Sequence, residues 1–293
     1  MRVLITGGRG QVGYCLTKQL SECGSNTVLS LDKKDLDITN QNAVIATVQE
    51  FKPTIIINAA AHTAVDKAEE EIELSYAINR DGPKFLAEAA QEVGAAILHI
   101  STDYVFEGTK DGEYLETDMT NPQGVYGASK LAGEEAVMSA CEKHIILRTA
   151  WVFGEHGNNF VKTILRLGSE RNELSIVADQ YGGPTYAGDI AKVLVKISNR
   201  LSKDEPVEFG LYHYSGLPHV NWCQFADAIF DSAVRQGVLT KKPNLKSILS
   251  DQYPTPAKRP GNSRMSTKKI TDAFDLKASD WKLALTNIKA YTE

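Results

Sequence analysis

Apolar residues follow two rhythms along the first half of the chain. Short continuous runs occupy residues 3–6, 28–31, 54–60, 95–101 and 144–151. They lack the in-and-out alternation of a half-exposed strand, so they predict strands covered on both faces. Between them the spacing is helical. Val12, Leu16, Leu20 and Cys23 place one apolar stripe on the first helix. Strands alternating with helices argue for a parallel sheet with right-handed crossovers.

Beyond about residue 151 the rhythm loosens. Helices are predicted near 159–171, 187–200 and 222–236, and Gly and Pro cluster at 182–184 and across 253–262. The expected fold class is therefore α/β: a Rossmann-type doubly wound parallel sheet with a smaller C-terminal substrate-binding lobe. Residues 1–150 form the dinucleotide-binding unit. Residues 151–293 form mainly the second lobe, with the helices near 159–171 and 187–200 packing back on the first. No internal repeat or low-complexity tract interrupts this plan.

Composition narrows the class. The 293 residues are 42% hydrophobic and 24% charged, enough for a large core. The net charge is −5, with no long basic or acidic run, so neither nucleic acid nor an anionic membrane is an expected partner. The N-terminal apolar stretch is too short for a signal peptide, and no run elsewhere reaches bilayer length. A cytoplasmic location is expected. Cys15, Cys23, Cys141 and Cys223 are scattered, without a Cys-x-x-Cys pair, and read as reduced thiols.

The join between the first strand and first helix carries Gly7, Gly10 and Gly13 in a Gly-x-x-Gly-x-x-Gly spacing, with Gln11 and Val12 between the last two. Glycines there permit a tight turn and let backbone N–H groups approach a pyrophosphate at the helix N-terminus. Asp32 follows the second strand, 19 residues after Gly13, where an acid can accept the adenosine ribose hydroxyls. Asp37 and Ile38 are further candidate contacts. Ala59, Ala60 and Ala61 end the third strand with side chains small enough for close approach. A nicotinamide dinucleotide is the expected cofactor. Asp32 would repel a ribose phosphate while Arg9, Lys33 and Lys34 would attract one, so NADPH and NADH both stay open.

The fourth strand ends in Ser101-Thr102-Asp103, and strand C-termini face the ligand crevice in open α/β sheets. Asn121-Pro122 is a plausible helix start, which places Tyr126 and Lys130 four apart on one helical face. That spacing suits carbonyl reduction. Hydride arriving at a ketone leaves charge on oxygen, which needs a donor and then a proton. A lysine cation near a phenol favours phenolate and draws its pKa down. Thr102 can donate to the same oxygen, and Lys130 can also hold the nicotinamide ribose.

With these motifs the chain resembles the extended short-chain dehydrogenase/reductases and, within them, the family of dTDP-4-dehydrorhamnose reductases. The matching stretches span nearly the whole chain: 58–68 (NAAAHTAVDKA), 101–106 (STDYVF), 125–134 (VYGASKLAGE), 148–153 (RTAWVF), 179–185 (DQYGGPT) and 255–263 (TPAKRPGNS). The resemblance implies that Thr102, Tyr126 and Lys130 are catalytic. It implies that Thr63, Val65, Tyr104 and Trp151 line a sugar pocket with Thr102 and Tyr126, and that Arg259 meets a substrate diphosphate. The implied reaction is NAD(P)H-dependent reduction of a 4-keto nucleotide sugar on the way to dTDP-L-rhamnose and cell-surface polysaccharide. Some family members dimerise through magnesium held by glutamates. At two of those positions this chain has Cys15 and Gly188, so no magnesium-bridged dimer of that kind is expected. His62 and Asp66 lack a third ligand, and no metal site is assigned.

Three alternatives stand beside this reading. A 4,6-dehydratase needs a second carboxylate, typically a glutamate right after the Ser-Thr-Asp end, where this chain has Tyr104. A reductase or epimerase of another 4-keto-sugar nucleotide is excluded less firmly. A non-catalytic regulatory subunit on the same fold has no need of Thr102, Tyr126 and Lys130.

Overall fold

The computed structural model describes all residues except Cys23, Ser25, Asp204 and Glu293. The place expected for Cys23 on the first helix therefore lies outside the described residues. Five strands match the apolar runs: β1 (Arg2–Thr6), β2 (Thr27–Leu31), β3 (Ile55–Asn58), β4 (Ala96–Thr102) and β5 (His144–Thr149). A sixth, Gly210–His213, comes from the second half of the chain. All pair in parallel, in the spatial order Gly210–His213, β5, β4, β3, β1, β2. The chain winds outward from β1 to β2, then crosses back over β1 to β3. Reversal of direction at β1 and β3 opens a crevice at their C-terminal ends, the usual ligand position in such sheets.

Among the described residues eleven α-helices surround the sheets: α1 (Gln11–Glu22), α2 (Gln41–Phe51), α3 (Val65–Ala68), α4 (Ile72–Tyr76), α5 (Gly82–Val93), α6 (Val125–Ala140), α7 (Phe160–Glu170), α8 (Ala187–Ser202), α9 (Trp222–Arg235), α10 (Lys268–Phe274) and α11 (Trp281–Ala284). Shorter helical turns lie near the C-terminus, and a π-helical turn, Ala77–Asp81, joins α4 to α5. Adjacent strand residues serve opposite faces. Val3, Ile5 and Ile57 meet Leu16 and Leu20 of α1 and Leu194 and Ile197 of α8. Leu4, Ile56 and Ile97 meet Val44 and Val48 of α2, Leu86 of α5 and Val137 of α6. Both faces are thus covered, which is why the strands read as continuous apolar runs.

The second core is separate. Val161, Ile164 and Leu165 of α7 pack with Phe225, Ile229 and Phe230 of α9 and with Trp281 and Tyr291 near the C-terminus. Helix α8 packs on α1 and the central sheet, and α7 packs on α9. The aromatic face of α9 offers α7 a larger apolar partner than the sheet, whose faces α1, α8, α2, α5 and α6 already cover.

Two boundaries differ from expectation. The fifth run breaks at Thr149 because Trp151 adopts left-handed backbone, φ 48°. Helix α6 begins at Val125, so Asn121 and Pro122 lie in the preceding loop, where Asn121 N–H bonds Val105 O. Glu69 decides the start of the helix: its carboxylate accepts from Val125 N–H at 2.8 Å, a negative charge at a helix N-terminus.

Candidate active site

The glycine turn lies against the end of β3. Gly7 has φ +74°, and a Cβ there would sit 2.6 Å from Ala60 N. A Cβ on Gly13 would sit 2.1 Å from Gly7 O. Only backbone fits at these points, and Gln11 and Val12 open α1 directly above the turn. The cradle suits a dinucleotide pyrophosphate. Ala59 N–H bonds Thr6 O, and Ala60 N–H bonds Asn58 Oδ1, which fixes the strand end beneath it. Ala61 continues the same rim.

The acids near β2 are more occupied than the sequence suggests. Asp32 accepts from the backbone N–H of Lys34 at 2.7 Å and pairs with Arg9 at 2.8 Å; the Lys34 bond leads in holding its pKa below the carboxylate norm. Asp37 closes its own turn by accepting from Thr39 N–H and Thr39 Oγ1. Ile38 is 5% exposed and its side chain belongs to the core, so only its backbone is offered to a ligand.

At the end of β4 the proton-transfer candidates meet. Thr102 Oγ1 donates to Asp103 Oδ1 at 3.0 Å and accepts from Tyr104 N–H, and it lies close enough to the Tyr126 hydroxyl to favour its ionised form. Asp103 also accepts from Ser263 Oγ, which ties β4 to the C-terminal lobe. Burial pushes the Asp103 carboxyl up to about 6. Burial of the Tyr126 hydroxyl raises its pKa well above that of a free phenol, although the residue as a whole is only part-buried. Lys130 is 2% exposed. Burial lowers it to about 8, and Nζ bonds Ile100 O at 2.7 Å and faces His99 Nε2 at 3.4 Å. The sequence reading has a lysine cation lowering the phenol pKa; here desolvation raises it, and the group that lowers it is Thr102. A phenol that keeps its proton is the form that can give one to an alkoxide.

A cavity of about 800 Å³ opens beside these groups. Tyr104, Trp151 and Arg259 line it, together with Asp66, Trp222 and Arg171. The Tyr104 and Tyr126 rings meet edge to face, centroids 5.3 Å apart, so the cavity wall touches the proton donor. Trp151 stacks on Trp222 with centroids 3.5 Å apart. Arg259 bonds both Tyr104 OH and the Asp66 carboxylate. Thr63 lies on the loop into α3 and Val65 opens that helix, both outside the lining of the cavity. His62 and Asp66 do not converge: His62 bonds Ser75 and Glu71. Among the described residues no group of three His, Cys, Asp or Glu side chains is arranged to hold a metal ion, and no helix is long and apolar enough to cross a membrane.

Sequence reading missed Trp222, Arg171 and His99. Trp222 opens an amphipathic helix and reads as core. Arg171 follows a helix end like any surface cation. His99 sits inside an apolar run with no local mark of what it faces.

Comparison with known proteins agrees with this geometry. Residues 1–292 match the family model described as RmlD substrate binding domain. The chain is 52% identical to the dTDP-4-dehydrorhamnose reductase of Aggregatibacter actinomycetemcomitans, covering 100% of this chain and 99% of the relative. It is 44% identical to that of Salmonella typhimurium, covering 97% of this chain and 96% of the relative. Among solved structures, a Bacillus anthracis dTDP-4-dehydrorhamnose reductase in complex with NADP superposes with TM-score 0.90 at 40% identity, over 98% of each chain. The Thermus thermophilus UDP-glucose 4-epimerase, at 22% identity and TM-score 0.79 over 99% of each chain, shares the fold. The chain belongs to the family of dTDP-4-dehydrorhamnose reductases, within the extended short-chain dehydrogenase/reductases.

Proposed function

We propose that the protein reduces the C4 ketone of dTDP-4-dehydro-L-rhamnose to dTDP-L-rhamnose with NADPH, with Thr102, Tyr126 and Lys130 as catalytic residues. The observation that carries this is the edge-to-face contact of Tyr126, one helical turn from the buried Lys130, with Tyr104, which follows Thr102 at the end of β4 and lines a cavity large enough for a nucleotide sugar. The reduced nicotinamide supplies the hydride. Thr102 orients the carbonyl, Tyr126 protonates its oxygen, and Lys130 holds the nicotinamide ribose. Gly7, Gly10, Gln11, Val12, Gly13, Asp32, Asp37, Ile38, Ala59, Ala60 and Ala61 form the cofactor path; Tyr104 and Trp151 line the sugar pocket, Thr63 and Val65 complete it, and Arg259 meets the diphosphate. A cytoplasmic setting fits such a substrate and cofactor.

The same reading has no magnesium-bridged dimer. Burial, then Glu155, pushes the Cys15 thiol up to about 11, so it stays protonated and is a poor ligand for a hard cation, and Gly188 offers no side chain.

The test follows NADPH and NADH absorbance with dTDP-4-dehydro-L-rhamnose, identifying the product by chromatography. Rapid oxidation yielding dTDP-L-rhamnose is expected. Cofactor binding without oxidation would reject the assignment and return the question to other keto-sugars.

A further inference from the structure

The stretch 179–185 (DQYGGPT) is a mark of the family, and most of it serves the scaffold. The Asp179 carboxylate accepts from Ser250 N–H at 3.0 Å and from Ser250 Oγ at 2.6 Å. Tyr181 and Gly182 form a short strand that pairs with Asn262 and Ser263. Gly182 lies against the Trp151 indole, and a Cβ there would sit 2.6 Å from Cε2. Gln180 is left over. It is 9% exposed and lines the large cavity. Its amide finds no hydrogen-bond partner among the described residues.

A nearly buried amide without a partner gives up bonds to water and gains none in return. Such groups are few in folded proteins and each asks for a reason. Here the backbone is pinned on both sides: Ala178 N–H bonds Ile248 O and Tyr181 N–H bonds Gly261 O, each at 2.9 Å. Other polar side chains of the cavity wall are occupied. Tyr104 OH accepts from Arg259, and Ser263 Oγ donates to Asp103. Gln252 Oε1 accepts from Leu249 N–H, and Thr255 Oγ1 donates to Ala257 O. The Gln180 amide is not sealed in the core, so the space it sees is the cavity. A donor and an acceptor are thus held in place there, unused by the protein.

Position along the wall says what they meet. Residues two apart on extended chain share a face. Gln180 and Gly182 flank Tyr181, which is 40% exposed and turned outward beneath Arg264. Gln180 therefore shares the face on which Gly182 packs against Trp151, about 6.6 Å further along. A sugar seated beside the indole reaches that far. In the substrate of the proposed reaction the C4 oxygen belongs to Thr102 and Tyr126, C1 carries the diphosphate towards Arg259, and C5 carries a methyl group. The hydroxyls at C2 and C3 remain. A hydroxyl both donates and accepts, and a neutral amide answers both roles. We propose that Gln180 is a specificity residue that hydrogen-bonds the C2–C3 diol edge of the sugar beside Trp151. The assignment rests on the keto-sugar reading above and adds to it a means of rejecting sugars that lack those hydroxyls.

The measurement is calorimetric binding of dTDP and of dTDP-L-rhamnose to the full-length protein and to Gln180→Leu, at saturating NADPH, where product and reduced cofactor cannot react. dTDP lacks the sugar, so its affinity reports whether the nucleotide site is intact. Gln180→Leu should leave dTDP affinity unchanged and weaken dTDP-L-rhamnose about tenfold, the loss of one hydrogen bond. Of the 2-deoxy and 3-deoxy analogues of dTDP-L-rhamnose, at least one should lose the same factor against wild type and nothing further against Gln180→Leu. Equal weakening of dTDP and dTDP-L-rhamnose in the variant, or no weakening of either, overturns the inference. Should the variant not fold, the analogues decide on wild type alone: a tenfold loss for one supports the inference, and full affinity for both overturns it. A wild type that binds dTDP and gains nothing from the rhamnosyl group overturns the keto-sugar reading together with this one, which sets the two failures apart.

Discussion

Arg259 reaches Asp66 across 193 residues of sequence, Nη2 to Oδ2 2.7 Å, while its Nη1 donates to Tyr104 OH at 3.0 Å. One guanidinium thus joins the C-terminal loop, the start of α3 and the ring that touches Tyr126. A diphosphate entering the cavity asks for the same planar donors. Arg259→Met should therefore raise the KM for the nucleotide sugar about tenfold to a hundredfold, the equivalent of one bond to a charged group, with a smaller change in kcat. Asp66→Asn, by weakening the competitor, should lower that KM. Steady-state kinetics at saturating NADPH decide it: equal loss of kcat and no change in KM for Arg259→Met would place the diphosphate elsewhere.

Tyr126→Phe keeps the ring that packs on Tyr104 and deletes only the proton donor. It should fold, bind NADPH with near-normal affinity and turn over at least about a hundredfold more slowly. Fluorescence titration and the absorbance assay together check this. Turnover within a few-fold of wild type would remove Tyr126 from the chemistry.

Asp103 links pH to stability. Its folded pKa is about 6, above the reference 3.8. A raised folded pKa means the native state favours the protonated form. The associated stability is complete below about pH 4 and is lost as pH rises through about 6. Asp103→Asn removes the charge and hence that loss. Denaturant melts should show the variant gaining on wild type between pH 4 and 7, by up to about 3 kcal/mol. A constant difference across the range would mean that Asp103 is an ordinary carboxylate.

The buried pair of Glu134 and Arg148 joins α6 to β5, with Arg148 Nε and Nη2 both donating to the carboxylate and Ser101 Oγ adding a third bond. Glu134 is 0% exposed. Glu134→Ala strands a guanidinium in the core and should cost about 3–5 kcal/mol. Urea unfolding checks the size. A loss under about 1 kcal/mol would show water reaching Arg148.

Elements with a strong local period were legible in the sequence. The glycine turn, β1 to β5 and the Tyr126–Lys130 helix face are each specified within a few residues of themselves. What escaped depends on distant partners. The strand Gly210–His213 is four residues long and reads as a strand only because β5 leaves an edge for it to pair with. The periodicity of α7 gives an apolar face but not the surface of α9 that it meets. In the same way nothing adjacent to His99 reveals the Asn58 amide that meets its ring, 41 positions away.

The return of Gly210–His213 to the central sheet bears on how the chain can be cut. A fragment ending near residue 150 would hold the whole glycine cradle and all three catalytic candidates. It would also lack the strand that covers β5 and the helix α8 that covers α1. An uncapped, apolar parallel edge invites pairing between molecules. Such a fragment should aggregate rather than bind nucleotide, and the intact chain should melt in one transition that takes both cores together.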